Sequence, residues 1–406
     1  MKKESRLARH KEAYLGILLL GTVSLLGDIV YEGSRGVVPD YLQFLGATAL
    51  IVGLVGGLGD FLGYAIRLVS GFLADTTRAY WFFIILGYGL VVSIPLLGLA
   101  SGLEIAIILV MLERFGKAIR APSRDTVLSI VSKDIGSGKA FGLHELLDQV
   151  GAVVGPLIVA SLMFFSSNDY RYTFSFLLVP FLMLLMVLVY AYRRIGPKSI
   201  AEPSATTGRK EKIAKPFYVY TLAVLLNTVG LIPYTLILFR ASEIVRPLHQ
   251  DWIVPLIYLV IQGVDAPAAL LSGYAFDKFG IRVLVVPFVL SLFPPLFAMF
   301  DSGLAMLIVA SVFFGLVLGM QESIYRAAVS EFTPMSSRGT AYGIFNTAYG
   351  IGFLISGAVY GLFIDLSLPF LAVIIYILVM QIGATASLLN AHSRLKSQAS
   401  NVDSRP

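Results

Sequence analysis

The feature that most constrains this chain is a series of about twelve apolar stretches, each long enough to cross a lipid bilayer as a helix. A transmembrane helix needs about 20 mainly apolar residues, because the hydrocarbon core is about 30 Å thick. Inside lipid every backbone amide must be satisfied within the protein, so these stretches are expected to be helical. Their predicted cores are residues 14–38, 46–74, 80–100, 103–123, 139–165, 170–193, 216–240, 252–275, 281–300, 303–327, 338–364 and 369–391.

Composition supports a membrane protein and excludes several other classes. Of the 406 residues, 57% are hydrophobic and 14% are charged, whereas a soluble domain carries about 25% charged residues. This excludes an ordinary soluble enzyme, a nucleic-acid binder and a disordered chain. The net charge of +6 is spread over short gaps, and cysteine is absent, which leaves no thiolate metal site. We expect an all-α membrane protein whose partners are the lipid bilayer and a small molecule, with no nucleic acid.

Lysine and arginine concentrate in alternate gaps between the apolar stretches, including both termini and the polar segment 193–215. Basic loops of membrane proteins stay in the cytoplasm. We therefore expect a multi-pass protein of the cell membrane with both termini cytoplasmic. The basic N-terminus is similar to the start of a signal peptide, but Asp28, Glu32 and Arg35 interrupt the apolar run that follows. We interpret it as an uncleaved anchor.

The chain also contains an internal duplication. The segment Ser70–Asp75 recurs 202 positions later as Ser272–Asp277, and Gly138–Gly142 recurs 201 positions later as Gly339–Gly343. Parallel repeats of this kind are found in transporters, where the substrate site lies between the two halves near the bilayer midplane. The predicted organisation is an N-terminal six-helix bundle over 1–192, a cytoplasmic linker over 193–215, a C-terminal six-helix bundle over 216–392 and a cytoplasmic tail over 393–406.

Three groups of residues carry a resemblance to the major facilitator superfamily over essentially the whole chain. The first is similar to motif A and occurs in both halves, as Gly71, Asp75 and Arg78, and as Gly273, Asp277, Lys278, Gly280 and Arg282. The second is similar to the antiporter motif C, with Gly151, Gly155 and Pro156. The third, residues 113–125 with 141–149, resembles a prokaryotic branch of permeases. The resemblance implies the major facilitator fold, alternating access, a bend or packing role for motif C and a cytoplasmic gate at motif A.

Motif A also has a physical interpretation. The predicted eleventh span starts on the cytoplasmic side, so its N-terminus carries about half a positive charge. Asp75 lies on the same side and is expected to bond the free amides there, and by symmetry Asp277 is expected to face the fifth span near Lys139. The alternative is that both aspartates are only polar residues that end their helices.

Charged residues within the predicted spans are the most informative ones. A charge near the bilayer centre costs about 2.5–3.5 kcal/mol. Eight charged residues fall well inside the predicted spans: Asp28, Glu32, Arg35, Asp60, Arg67, Glu113, Arg114 and Lys117. If all eight faced lipid they would cost ~20 kcal/mol or more, beyond a typical stability of about 5–15 kcal/mol. They must face one another or a water-filled cavity. We expect an upper cluster of Asp28, Glu32, Asp60 and Arg114, and a lower cluster of Arg67, Arg120, Glu145 and Asp148. Further candidates for the cavity are Arg35, Glu113, Lys117, Gln262, Asp265, Glu322, Arg326 and Asn346.

These residues favour a secondary active transporter, with proton-coupled efflux by antiport as the first interpretation. A carboxylate near a moving arginine can bind and release a proton, and the proton gradient then supplies the energy without a cofactor or metal. Fixed ion pairs that join helices are the alternative role for the same charges. Polar residues of the second half suit either a substrate surface or hydrogen bonding between helices.

Two other functions are compatible with the same residues. An organic-anion permease would use Arg35, Arg67, Arg114, Lys117 and Arg120 as a charge clamp. A non-transporting receptor of the same fold is the second alternative. An enzyme is not expected, because the four histidines are not closely spaced and the sequence contains no phosphate loop or nucleophile elbow. We expect a monomer.

Overall fold

The computed structural model describes residues 2–196, 212–300 and 303–403, and within these ranges the chain is helical and contains no strand. Most of the predicted linker 193–215 and the end of the predicted tail lie outside the described residues. The chain is an all-α protein, as the sequence predicted.

Nine helices cover the first half of the chain. They are α1 Lys2–Arg35, α2 Val38–Phe44, α3 Ala49–Thr77, α4 Tyr80–Gly89, α5 Ser93–Leu96, α6 Leu103–Val131, α7 Ser137–Phe165, α8 Tyr170–Phe176 and α9 Leu178–Ile195. The predicted third span is broken by two short 3-10 turns, Leu90–Val92 and Leu97–Leu99. Pro95 lies between these turns and cannot donate a backbone hydrogen bond, which accounts for the break.

The helices described in the second half correspond to the remaining six predicted spans. They are α10 Lys215–Val229, α11 Tyr234–Val245, α12 Ile253–Phe279, α13 Val285–Leu290, α14 Phe293–Met299, α15 Leu304–Met320, α16 Arg326–Phe332, α17 Arg338–Asp365 and α18 Phe370–Asp403. One π-helical turn, Gln321–Tyr325, joins α15 to α16. Such single-turn insertions widen a helix locally and often occur at functional sites.

Ten segments of the described chain are long and apolar enough to cross a membrane. One of them, Ile253–Met299, is 47 residues long and contains two of the predicted cores. Helix α6 is not among the ten because of its charges, although at 29 residues it is long enough to span. The helices therefore accommodate all twelve predicted cores.

Over the described residues, the chain divides into two compact units. The first comprises Met1–Leu45, Leu62–Ala205 and His249–Leu256, and the second comprises Gly46–Phe61, Thr206–Leu248 and Ile257–Pro406. Helix α3 is thus shared, with residues 49–61 in the second unit and 62–77 in the first. The predicted bundle boundaries, 1–192 and 216–392, stay a prediction.

Glycines set the closest helix packing in each unit, and the two units use them at equivalent places. A Cβ added at Gly151 of α7 would lie 2.6 Å from the carbonyl oxygen of Leu25 and 2.7 Å from Cβ of Asp28, both in α1. A Cβ added at Gly352 of α17 would lie 2.8 Å from Cβ of Thr228 in α10. The duplicated sequence thus produces the same helix crossing twice, with Asp28 in one copy and Thr228 in the other.

The two copies of motif A also share their backbone conformation. Gly280 has a φ of 63°, and Arg78, which occupies the equivalent position 202 residues earlier, has a φ of 54°. This left-handed conformation costs a residue with a Cβ about 1–2 kcal/mol, whereas glycine adopts it freely. The missing second glycine of the first copy is therefore replaced by a strained arginine in an unchanged turn.

Candidate functional site

Asp28 is a buried carboxylate of the first unit. Its side chain is buried, with the residue 4% exposed, and Oδ1 accepts no hydrogen bond from any residue that the structure describes. The Tyr31 hydroxyl donates to the Asp28 carboxylate, Lys117 is the nearest opposing charge, and the like charges are Glu32 and Asp148. Helix α1 presents this carboxylate to Gly151 of α7, where the absence of a side chain leaves it room.

One turn along α1, Glu32 is held by two cations. Arg35 Nη1 donates to Glu32 Oε1 at 2.7 Å, and Lys117 Nζ donates to the same oxygen at 3.1 Å. Positions 28, 32 and 35 share one face of α1, as their helical spacing predicted. Lys117 reaches this face from α6, so these contacts join two helices of the first unit.

The ring of Tyr31 lies at the centre of the cationic side chains. Lys117 Nζ is 4.3 Å, Arg120 Cζ 4.9 Å and Arg35 Cζ 5.3 Å from the ring centroid. Arg120 also lies 4.6 Å from the centroid of the Tyr88 ring. Each such contact contributes about 0.5–2 kcal/mol, more where water is excluded.

Asp148 belongs to a separate group centred on Arg124. Arg124 donates to Ser24 Oγ at 2.8 Å, to Asp148 Oδ2 at 3.5 Å and to Asp125 Oδ1 at 3.0 Å. His144 Nδ1 lies 3.5 Å from the same Asp148 oxygen. The arginine beside Asp148 is thus Arg124, one helical turn from the Arg120 that the sequence placed there.

The other charged candidates of the first half contact residues near them in sequence. Arg114 Nε lies 3.6 Å from Glu113 Oε2, Arg67 lies over the Tyr64 ring of its own helix, and Gln149 donates to Glu145 at 3.4 Å. Asp60, expected beside Asp28, belongs to the second unit. Apart from the pairing of Asp148 with Arg124, the two clusters proposed from the sequence stay a prediction.

The second unit buries a network of amides and hydroxyls. Asn227 donates to Gln381 Oε1 at 2.8 Å and accepts from the Tyr325 hydroxyl at 2.7 Å and from Gln321 at 3.3 Å. The Tyr349 hydroxyl donates to Gln321 Oε1 at 2.7 Å. These bonds join α10, α17, α18 and the π turn, so hydrogen bonding between helices is the role that the geometry supports for these side chains.

The remaining candidates of the second half lie around this network. Gln262 and Asp265 are buried in α12, Glu322 is exposed on the π turn, and Asn346 is half-buried in α17. The Arg326 carbonyl oxygen accepts from the Tyr342 hydroxyl at 3.1 Å.

Motif A is largely exposed in both copies. Asp75 accepts a hydrogen bond from the Tyr80 hydroxyl at 3.0 Å, which ties the end of α3 to the start of α4. Asp277, Lys278 and Arg282 are exposed. The gate role of these residues stays a prediction.

A cavity of about 520 Å³ lies elsewhere in the first unit. Its lining includes three aromatic residues, Tyr41, Phe44 and Tyr170, and four polar ones, Ser101, Asn168, Asp169 and Arg171. The charged candidates from the sequence are not among its lining residues.

Sequence reasoning missed the aromatic part of the site. Tyr31 lies three residues after Asp28 on the same helix face, so the helical spacing that grouped Asp28 with Glu32 also carried this signal. Tyr88 comes from the third span, and only the packing of α4 against α6 brings it to Arg120. Gly87 and Gly116 permit that close approach.

The family of the chain follows from comparison with known proteins. The family model of the Major Facilitator Superfamily matches residues 19–357 and 245–403. The chain belongs to the major facilitator superfamily. It is therefore a secondary transporter and a multi-pass membrane protein, in a family whose members are generally not enzymes.

Relatives and solved structures agree with this assignment. The chain is 36% identical to an uncharacterised protein of Mycobacterium tuberculosis, over 89% of this chain and 90% of that protein. It is 27% identical to an uncharacterised MFS-type transporter of Methanocaldococcus jannaschii, over 84% and 86%.

Two solved structures show the fold. A mutant form of the nucleoside transporter NupG has a TM-score of 0.73 at 11% identity, covering 93% of this chain and 99% of that one. An inward-facing bacterial homologue of the lysosomal transporter Spinster has a TM-score of 0.67 at 14% identity, covering 95% and 98%.

Proposed function

We propose that this superfamily member is a proton-coupled secondary transporter in which Asp28 takes up and releases the proton. The observation that carries the proposal is the buried Asp28 carboxylate, whose Oδ1 accepts no hydrogen bond from the described part of the chain. An unpaired charge is expensive to bury, and a bound proton removes that cost. Tyr31 and Lys117 stabilise the ionised form, so both forms are accessible at one site.

The neighbouring carboxylates are less suited to this role. Glu32 is held by Arg35 and Lys117 at 2.7 and 3.1 Å, and Asp148 is held by Arg124 at 3.5 Å. A carboxylate paired with a guanidinium remains ionised through the cycle unless the pair separates. Asp28 needs no such separation.

The direction of coupling has two forms. Efflux by antiport is the form that the likeness to motif C implies, and the contact between Gly151 and Asp28 supports it, because that helix then touches the proton site. Symport of an organic anion is the second form, and the observation that favours it is the buried Arg120, whose Nη1 donates to no residue in the described part of the chain. We propose a cell-membrane location with cytoplasmic termini for both forms.

Flux in proteoliposomes with an imposed pH gradient tests the proton assignment. The probes are ethidium, a cation, and benzoate, an anion. The pH gradient should drive net movement of one of them by the wild-type chain, and Asp28→Asn should abolish this while downhill exchange continues. The matched control is Asp169→Asn, since Asp169 only caps α8 through the Tyr172 amide, which asparagine can also do.

Gradient-driven flux that is equal in Asp28→Asn and in the wild type would show that another group carries the proton.

A further inference from the structure

We propose that Arg120 binds an anionic group of the substrate, with Lys117 as the second cation, and that the substrate class is a small organic molecule bearing a carboxylate or a phosphate. This proposal deepens the proposed function by naming its substrate class. Only the coupling of anion binding to the proton on Asp28 rests on the proposed function. It narrows the broad clamp of five cations to two residues of α6.

The surroundings of Arg120 stabilise its charge but leave a hydrogen-bond donor unused. The residue is 2% exposed and lies between the faces of Tyr31 and Tyr88, with centroid distances of 4.9 and 4.6 Å. Its Nη1 donates to no residue in the described ranges 2–196, 212–300 and 303–403, and no carboxylate within them lies at ion-pair distance. An arginine stays charged at all working pH values, so an anion is the partner that its unused N–H groups fit.

Arg124 provides an internal contrast. It lies four residues later, on the same face of α6, and its guanidinium is satisfied by Ser24, Asp125 and Asp148. The fold can therefore supply acceptors to a buried arginine at this depth. Arg124 has these acceptors, whereas the contacts of Arg120 within the described chain are the faces of two aromatic rings. Such an arrangement positions a cation for a ligand before the ligand binds.

Lys117 gives the site a second positive charge and an opening. Its side chain is 25% exposed and shares its one carboxylate partner, Glu32, with Arg35. Around the Tyr31 ring there are thus three cations, Arg35, Lys117 and Arg120. The negative charges of Glu32 and Asp28 offset two of these three positive charges. When Asp28 binds a proton, its own negative charge is lost.

This charge balance couples the anion to the proton. Protonation of Asp28 raises the net positive charge beside Arg120, so the anion binds more tightly when the proton is bound. The charged and titratable groups that face Asp28 are Tyr31 and Glu32 on its own helix, Lys117 from α6 and Asp148 from α7. Because proton and anion favour each other, they travel together, which selects the symport form of the proposed function.

Two other cations of the broad clamp are occupied elsewhere. Arg114 lies 3.6 Å from Glu113 Oε2, and Arg67 lies over Tyr64 of its own helix. The anion site is accordingly placed at Arg120 and Lys117.

The test is binding by calorimetry to the purified full chain, with benzoate, inorganic phosphate and benzamide as probes. Benzamide has nearly the shape of benzoate without its charge. Benzoate or phosphate should bind to the wild type and benzamide should not. Arg120→Gln should weaken anion binding at least about tenfold, the usual effect of losing a charge-assisted hydrogen bond. Arg120→Lys should fall between the two, and the exposed Arg171→Gln should bind as the wild type.

Folding of the variant is checked separately. Without ligand, Arg120→Gln should melt close to the wild-type temperature, because loss of the two cation–π contacts is offset by removal of a buried charge whose Nη1 finds no acceptor in the described chain. Arg124→Gln should melt lower, because it leaves its carboxylate partners without their cation.

Three results would overturn the anion site: equal binding of benzamide and benzoate, no binding of either anion to the wild type, or unchanged anion binding by Arg120→Gln. Asp28→Asn resembles the protonated aspartate, so it should bind the anion without the pH dependence of the wild type. An Arg120-dependent anion site whose pH dependence survives in Asp28→Asn would keep the anion site and refute the proton assignment.

Discussion

The two halves of this transporter use the same helix crossing for different purposes. In the first half, Gly151 of α7 packs on α1 at Asp28, and in the second half Gly352 of α17 packs on α10 at Thr228. The Thr228 hydroxyl donates to the Val224 carbonyl oxygen at 2.9 Å and is fully satisfied within its own helix. Asp28, in the same place, has one oxygen that accepts no hydrogen bond from the described chain.

The polar cores of the halves differ in the same way. The first buries a group of charged side chains around Tyr31 and Arg124, whereas the second buries a network of amides and hydroxyls centred on Asn227. Buried polar groups that are fully paired stabilise one arrangement of helices, and unpaired ones cost stability without a structural return. We therefore expect the first half to carry the proton chemistry and the paired amides of the second half to stabilise its helix packing.

Replacement of Asp28 by the residue at the equivalent place in the second half should have the largest effect on transport. Asp28→Thr converts the proton site to the kind of residue that the second half has at this crossing. We expect complete loss of gradient-driven flux with a folded protein, because threonine fits the crossing at Thr228 and can bond its own helix. The pH-gradient assay and a melting curve measure the two properties, and Thr228→Ser is the matched control. Driven flux that persists in Asp28→Thr would refute the assignment of chemistry to this position.

Removal of the central amide of the second half should cost stability instead of activity. Asn227→Ala leaves Tyr325, Gln321 and Gln381 without their partner, and we expect a loss of about 2–4 kcal/mol from these buried groups together. Asn346→Ala is the control, because Asn346 Oδ1 accepts no hydrogen bond from the described chain. Thermal unfolding in detergent gives the difference, and equal melting temperatures for the two variants would show that the network is not structural.

How much of this was readable from the sequence depended on whether a feature is local or needs packing. Hydropathy and proline positions predicted the spans closely, for example 139–165 for Ser137–Phe165 and 338–364 for Arg338–Asp365. Spacing along one helix correctly placed Asp28, Glu32 and Arg35 on one face. These features depend only on neighbours within a helix.

Contacts between helices were less predictable, because the rotation of one helix against another is set by packing that the sequence does not state. Arg124 and not Arg120 pairs with Asp148, since one helical turn of α6 separates two nearly equivalent candidates. Asp60 belongs to the second unit, whereas Asp28 belongs to the first. The π turn at Gln321–Tyr325 has no signal in hydropathy at all.

A methyl group at the shared helix crossing gives a smaller and sharper effect. Gly151→Ala would place Cβ 2.6 Å from the Leu25 carbonyl oxygen, so the helices must move apart, at a cost of about 1–3 kcal/mol. Gly142→Ala, in the same helix, meets no atom within 4 Å and should stabilise the protein by about 0.5–1 kcal/mol. Melting temperatures that change alike in both variants would contradict the close packing at Gly151.

The smallest expected effect concerns the two copies of motif A. Arg78→Gly should raise stability by about 1 kcal/mol, because it relieves a left-handed arginine, and Gly280→Ala should lower stability by about the same amount. Opposite shifts of melting temperature would establish that the two turns share one conformation. A fall in both variants would mean that the Arg78 side chain stabilises its turn.

The most direct test of the central claim is infrared difference spectroscopy of the purified chain between acidic and alkaline buffers, which detects the carbonyl stretch of a protonated carboxyl group without any substrate. If Asp28 takes up and releases the proton, one such band from a buried carboxyl group should appear in the wild type and in Asp148→Asn and be lost in Asp28→Asn. The same band in Asp28→Asn as in the wild type would contradict the account.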